Sequence, residues 1–126
     1  MGKKKHVKRY SREVPLFDVG RVEFHTDRDA MRRGMDYASG LTEEDKDISC
    51  CSGCCVFGAY DEGGGWVWFV GVFDGKPGTV AHESFHATVR ILSTVDVPIQ
   101  KNAANETAAY LIGWLVDTFN QVSQEN

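Results

Sequence analysis

The chain has 126 residues, of which 42% are hydrophobic and 25% are charged, and its formal net charge is −4. These values are ordinary for one folded domain. The chain is too short to include a separate substrate-recognition domain. The negative charge argues against a nucleic-acid-binding protein, and no run approaches the roughly 20 apolar residues that span a bilayer. No apolar run follows the basic start, so we expect no secretory signal, a cytoplasmic location and reduced cysteines.

The first twelve residues are unusually basic. They contain six of the 14 lysines and arginines, and we expect residues 1–12 to be a basic disordered arm. The alternative is an arm that touches nucleic acid or another acidic partner, for which the charge is only a weak indication. A single domain is then predicted over residues 13–122, with a frayed terminus at 123–126.

The first half of the domain predicts two strands and a helix. Val14–Phe17 and Arg21–His25 flank turn residues and have strand composition. Thr26 then has the pattern of a helix N-cap, and Gly40 suits a C-terminal cap. The predicted inward side chains of this helix are Ala30, Met31, Gly34, Met35 and Ala38. The polar residues 41–49 predict an exposed loop or a single helical turn.

All four cysteines lie together, at Cys50, Cys51, Cys54 and Cys55. Cys51 and Cys54 form a C-x-x-C pair around a Ser-Gly turn, a spacing that suits one metal ion or a disulfide. No second C-x-x-C pair exists to complete a structural zinc site. We therefore favour partly buried thiols, with a secondary metal or redox site as the alternative.

Two apolar runs predict a β-hairpin. Cys55–Tyr60 and Trp66–Phe73 are joined by five residues, three of them glycine. The second run is apolar on both faces, so we expect it to be covered on both sides. Trp66 and Trp68 share one face, for which packing in the core is favoured over stacking on a ligand.

The segment after the hairpin predicts a helix from about Thr79 to Thr94, which contains His82-Glu83-Ser84-Phe85-His86. Two histidines four residues apart on a helix can share one metal ion, and Glu83 could take a proton from a metal-bound water. A last helix is expected from about residue 103, and Glu106 in its first turns is the natural third ligand. Helix-dipole chemistry would also explain Glu106, and the histidines could be ordinary half-buried polar residues.

The predicted packing of the histidine helix follows its apolar residues. Its buried face is expected to consist of Ala81, Phe85, Thr88 and Leu92. The two histidines would then lie on the flank of this face, half buried and open on one side.

The histidine motif with Asn105-Glu106 on a second helix resembles the gluzincin branch of zinc metallopeptidases. The chain is also similar to small peptidase-like proteins of tailed phages, in which a Phe-Asp-Gly strand end precedes an Ala-His-Glu helix. The resemblance implies zinc bound by His82, His86 and Glu106, with Glu83 as the catalytic base. Gluzincins usually carry an acidic residue one turn after the glutamate ligand, whereas this chain has Tyr110.

The role of oxyanion donor is open among three residues. The candidates for stabilising the oxyanion are Tyr110, Tyr60 and Arg90. Tyr110, which lies on the second predicted helix, could instead form a hydrogen bond to a zinc ligand. No further histidine follows the second helix to take this role.

These observations predict an α+β fold of minimal zincin-like type, with a small antiparallel or mixed sheet packed against two or three helices. The expected function is zinc-dependent hydrolysis of a peptide or protein substrate, in the host cytoplasm if the chain is phage-encoded. The strand Trp66–Phe73, if it lies at a sheet edge, could pair with an extended substrate. The alternative is a zincin-like metal-binding interaction module without catalysis, such as a phage structural or host-factor-binding protein.

Overall fold

A computed structural model of the chain describes residues 2–63, 65–97 and 103–126. The helices are α1 (Gly2–Tyr10), α2 (Arg28–Met35), α3 (Glu43–Lys46), α4 (Pro77–Thr94) and α5 (Ala103–Glu125). The strands are β1 (Ser11–Glu13), β2 (Gly20–His25), β3 (Ala38–Ser39), β4 (Gly53–Tyr60) and β5 (Trp66–Val72). The predicted α+β class is confirmed, although the described part contains five helices instead of two or three.

The five strands form one mixed sheet in the order β1-β2-β5-β4-β3. β4 and β5 pair antiparallel, which confirms the hairpin, and β2 pairs parallel with β5. Because β5 is hydrogen-bonded on both sides, it has no free edge. The prediction that this strand could pair with an extended substrate is therefore wrong.

Both faces of the sheet are covered. Helices α4 and α5 pack on the face that contains Phe24 and Trp68, where fifteen buried residues form one core. The opposite face carries Phe69 and packs with Met31 and Met35 of α2 in a second, smaller core. Trp68 is fully buried, as the core interpretation predicted, whereas Trp66 at the start of β5 is 48% exposed.

The basic start of the chain is not the disordered arm predicted for residues 1–12. It forms α1, and then β1, which pairs antiparallel with β2. The reason lies outside the segment, because α1 places His6 against the buried carboxylate of Glu23. A count of the segment's own charges cannot detect such a partner.

The carboxyl terminus is likewise tied down. Asn126 donates a hydrogen bond from its side chain to the backbone carbonyl of Arg9 at 3.0 Å, and Arg12 forms an ion pair with Glu125. Helix α5 therefore continues to Glu125, through most of the predicted frayed terminus at residues 123–126.

Several element boundaries differ from the predictions. The residues predicted as a first strand form a turn, in which Leu16, Phe17 and Asp18 have positive φ angles of 70°, 67° and 46°. Helix α2 is capped by Asp27, whose carboxylate accepts from the Ala30 amide, and not by Thr26. The single helical turn expected within residues 41–49 is confirmed as α3. No helix in the described residues is long and apolar enough to cross a membrane.

Candidate metal centre

The turn before α4 fixes the start of this helix. The Asp74 carboxylate accepts hydrogen bonds from the Lys76 amide at 3.0 Å and from the Thr79 hydroxyl at 2.7 Å. These bonds hold the pKa of the exposed Asp74 below its usual value. Pro77 then occupies the first turn of α4, where its missing amide hydrogen removes no helical hydrogen bond.

The buried face of α4 differs from the predicted one. It consists of Val80, Glu83, Ser84, Ala87, Thr88, Ile91 and Leu92. Of the four residues predicted to be inward, Ala81 and Phe85 are exposed, and Phe85 retains 52% of its accessible surface. Small side chains such as Ser84 and Ala87 let α4 approach the sheet closely. This close contact determines which face of α4 is buried more than the hydrophobicity of its residues does.

His82 and His86 lie on the outer side of α4. Their Nε2 atoms are 3.1 Å apart and their ring centroids 4.7 Å apart. The side chain of His82 is 66% exposed, so the prediction that the pair is half buried is wrong. A tetrahedral zinc ion bound at about 2.0–2.1 Å to each nitrogen would hold the two nitrogens about 3.3 Å apart. The pair therefore fits one ion with almost no movement.

Glu83 lies on the inner side of the same helix. It is 7% exposed, and its Oε2 atom is 3.9 Å from Nε2 of His82. Burial raises the pKa of the Glu83 carboxyl, against the opposing charges of His82, His86 and Arg90. A carboxylate with a raised pKa accepts a proton more readily than an exposed one does.

The hairpin strand β4 makes room for Glu83. A Cβ atom added to Gly53 would lie 3.0 Å from Cγ of Glu83 and 2.7 Å from Cγ2 of Thr79. Only a residue without a side chain therefore permits this approach of α4 to β4. Gly53 lies inside Cys-Ser-Gly-Cys, which the sequence predicted to be a turn. In the structure it leaves the space that the Glu83 side chain occupies.

The structure brings together three of the four residues predicted for the zinc site. The ligand atoms of His82, Glu83 and His86 all lie within 4.8 Å of one another. No such group in the described part of the chain includes Glu106, which is exposed in the first turn of α5. Its role as third ligand stays a prediction, and the side chain of Asn105 lies outside the described residues.

The candidate oxyanion donors occupy different places. Tyr60 is buried on the opposite face of the sheet, where its hydroxyl donates to Oε1 of Glu23 at 2.8 Å, so it is not available at α4. Arg90 is exposed on α4 and close enough to lower the pKa of Glu83. Tyr110 is 53% exposed on α5. Arg90 and Tyr110 stay candidates.

The four cysteines do not form a group of three convergent metal ligands in the described structure. All four are free thiols, and among the described residues no group of three convergent ligand atoms contains one of them. Burial raises the pKa of the Cys55 thiol to about 12, and burial together with the nearby Cys51 raises that of Cys54 further. Such thiols stay protonated and weakly nucleophilic at neutral pH. Cys51, Cys54 and Cys55 are partly buried, as the favoured prediction states, whereas Cys50 is exposed.

A second group of potential ligands escaped the sequence prediction. His6 of α1 converges with Glu23 and His25 of β2, and both β2 side chains are fully buried. The available signal was the alternation of Val22 and Phe24 with two titratable residues, which places a carboxylate and an imidazole on the same face of a covered strand.

The geometry of these groups is the basis for any functional assignment. Comparisons with protein-family models, with curated proteins and with solved structures find no match to this chain.

Proposed function

We propose that the chain is a zinc-dependent hydrolase that acts on a peptide bond. One observation carries the proposal: the His82 and His86 Nε2 atoms are 3.1 Å apart, with the Glu83 carboxylate in the same group. Two imidazoles are donors that suit zinc, and a carboxylate beside them suits a base for a zinc-bound water. The resemblance to gluzincins assigns the same residues, with Glu106 as the third ligand and Glu83 as the base.

Each residue then has a distinct task. His82 and His86 would hold the ion on the outer side of α4. Zinc bound there would lower the pKa of a bound water and polarise the scissile carbonyl. Glu83 would take the proton of the attacking water and transfer it to the leaving amine. Its position against Gly53 keeps the carboxylate in place, because the side chain is almost completely buried.

The first test compares zinc content and hydrolysis in matched variants. Glu83→Gln should abolish cleavage of a fluorescently labelled casein while the zinc content, measured by mass spectrometry, stays unchanged. Glu43→Gln removes the same charge from an exposed position on α3 and should keep full activity. His86→Ala should lower the zinc content by one ion per chain. Full activity in Glu83→Gln would refute the mechanism.

A second candidate is a metal-binding interaction module without catalysis. It is favoured by the exposure of the pair: Phe85, between the two histidines, is half exposed, with its ring centroid 6.3 Å from that of His86. An exposed aromatic ring beside exposed imidazoles suits contact with a partner protein. Zinc binding without cleavage of casein or of a random peptide library would favour this candidate.

A further inference from the structure

We propose a second metal site, formed by His6, Glu23 and His25, that ties the N-terminal helix to the sheet. It lies apart from the histidine pair on α4. Glu23 and His25 alternate along β2 with Val22 and Phe24, which face the core beneath α4 and α5. The two polar side chains therefore point to the face that α2 covers.

The distances among the three donors suit a divalent ion. Oε2 of Glu23 lies 3.3 Å from Nε2 of His6 and 2.6 Å from Nε2 of His25, and one potential ligand atom of each residue lies within 4.8 Å of those of the other two. Nitrogen and oxygen ligands bound at about 2.0–2.2 Å to a tetrahedral ion lie roughly 3.3–3.6 Å apart. The Glu23–His6 distance of 3.3 Å is at the lower end of this range, and the Glu23–His25 distance of 2.6 Å has to open by about 0.7–1.0 Å.

The site has the burial of a structural metal centre. The side chains of Glu23 and His25 are 0% exposed and that of His6 is 11% exposed. Space for the junction comes from α2, since a Cβ atom on Gly34 would lie 2.0 Å from Oε2 of Glu23 and 2.9 Å from Nε2 of His6. Glycine at this position leaves the three donors free to meet.

Charge provides the second argument. A buried carboxylate is costly without a compensating charge. The two imidazoles and the Tyr60 hydroxyl surround the Glu23 carboxylate at hydrogen-bond distance. A divalent ion bound to these groups would supply a compensating positive charge beside the carboxylate. Nδ1 of His25 is buried without a hydrogen-bond partner in the described structure, so the ring lacks the outer hydrogen bond that usually orients a metal-bound histidine.

The donor set selects the class of ion. Two imidazoles and one carboxylate suit zinc or another first-row transition ion, whereas calcium and magnesium prefer oxygen ligands throughout. Because His6 belongs to α1 and the other two donors to β2, the ion would cross-link these elements. The rings of Tyr10 and His25, with centroids 4.6 Å apart, pack beside the same junction.

The experiment uses the double variant His82→Ala/His86→Ala, which lacks the first site, so the outcome does not depend on the proposed hydrolase. The full chain is stripped with EDTA, exchanged into zinc-containing buffer and desalted, and its zinc is measured by mass spectrometry. We expect one zinc ion per chain. Adding His6→Ala or the isosteric Glu23→Gln should remove it, while Lys5→Ala, an exposed neighbour on α1, should not.

A second readout covers variants that bind less tightly. Zinc should slow tryptic cleavage after Lys8 and Arg9 in the double variant, because the ion holds α1 on the sheet, and Glu23→Gln should remove this protection. Circular dichroism checks that each variant is folded. The proposal would be overturned if the double variant His82→Ala/His86→Ala neither retained zinc nor was protected from trypsin by zinc. It would also be overturned by a zinc ion that survives both His6→Ala and Glu23→Gln, since other residues must then bind it.

Discussion

Replacement of Gly34 by alanine tests the buried junction between α1, α2 and β2. The added Cβ atom would lie 2.0 Å from Oε2 and 3.1 Å from Cδ of Glu23. This carboxylate cannot move aside at low cost, because it is fully buried and His25, His6 and Tyr60 surround it at hydrogen-bond distance. The substitution therefore has to displace either the helix or the carboxylate.

Two opposing effects decide the result. Alanine in place of glycine within a helix favours folding by about 1 kcal/mol. Overpacking of a buried site costs about 1–3 kcal/mol, and a lost hydrogen bond to a charged group costs a further 1.5–3 kcal/mol or so. We expect Gly34→Ala to lower the free energy of unfolding by roughly 2–4 kcal/mol. For a chain of this length that is a fall in Tm of about 10 °C.

Gly113 provides the matched control. It is exposed in α5, and an added Cβ atom there would meet nothing within 4 Å. Gly113→Ala should therefore raise the free energy of unfolding by about 0.5–1 kcal/mol. Both variants are compared with the parent chain by urea unfolding followed by circular dichroism. If both alanines stabilise the protein equally, Glu23 and His6 do not meet at Gly34, and the junction described here is wrong.

Two further predictions follow from the pKa values. The pKa of Glu83 is raised in the folded state, so the folding stability that its proton contributes is present below the unfolded value of 4.5 and is lost as pH rises through the folded value. In EDTA, Glu83→Gln should thus gain stability relative to the parent chain as pH increases from 4 to 7, and a constant difference in urea midpoint would contradict this. Brief alkylation with iodoacetamide at pH 8, read by mass spectrometry, should modify the exposed Cys50 first and leave Cys55 unmodified until the chain is denatured, because burial raises the pKa of Cys55 to about 12. Equal labelling of both thiols in the folded protein would show that Cys55 is accessible.

Features encoded in short stretches of sequence were predicted well. The hairpin follows from two apolar runs around a glycine-rich turn, and the end of α4 at Thr94 and the start of α5 at Ala103 were predicted from local patterns. The parallel pairing of β2 with β5 joins residues more than forty positions apart. The alternation of side chains within β2 indicates a covered strand but does not show which strand pairs with it. Local sequence patterns therefore could not predict the central position of β5 in the sheet.

The N-terminal segment shows how a distant residue can decide local structure. Lysines and arginines dominate α1, and a composition argument treats them as a solvated arm. His6 nevertheless meets the buried Glu23, while Arg12 of β1 pairs with Glu125 at the other end of the chain. The partner is the carboxylate of Glu23 on β2. The strand was predicted correctly, but the contacts of its second face were not considered. An acidic residue that alternates with core residues on a covered strand needs a partner from elsewhere.

The candidate zinc site illustrates the same limit at the scale of one helix. The spacing of His82 and His86 predicts that they meet, because side chains four residues apart lie on one face, and their nitrogens are 3.1 Å apart. The spacing does not determine which face is buried. Ser84, Ala87 and Gly53 permit close packing, so α4 turns Glu83 toward the sheet and leaves both histidines outside. This rotation places a nearly buried carboxylate beneath an exposed pair of imidazoles, and the small residues around the motif indicate the rotation better than the hydrophobic residues do.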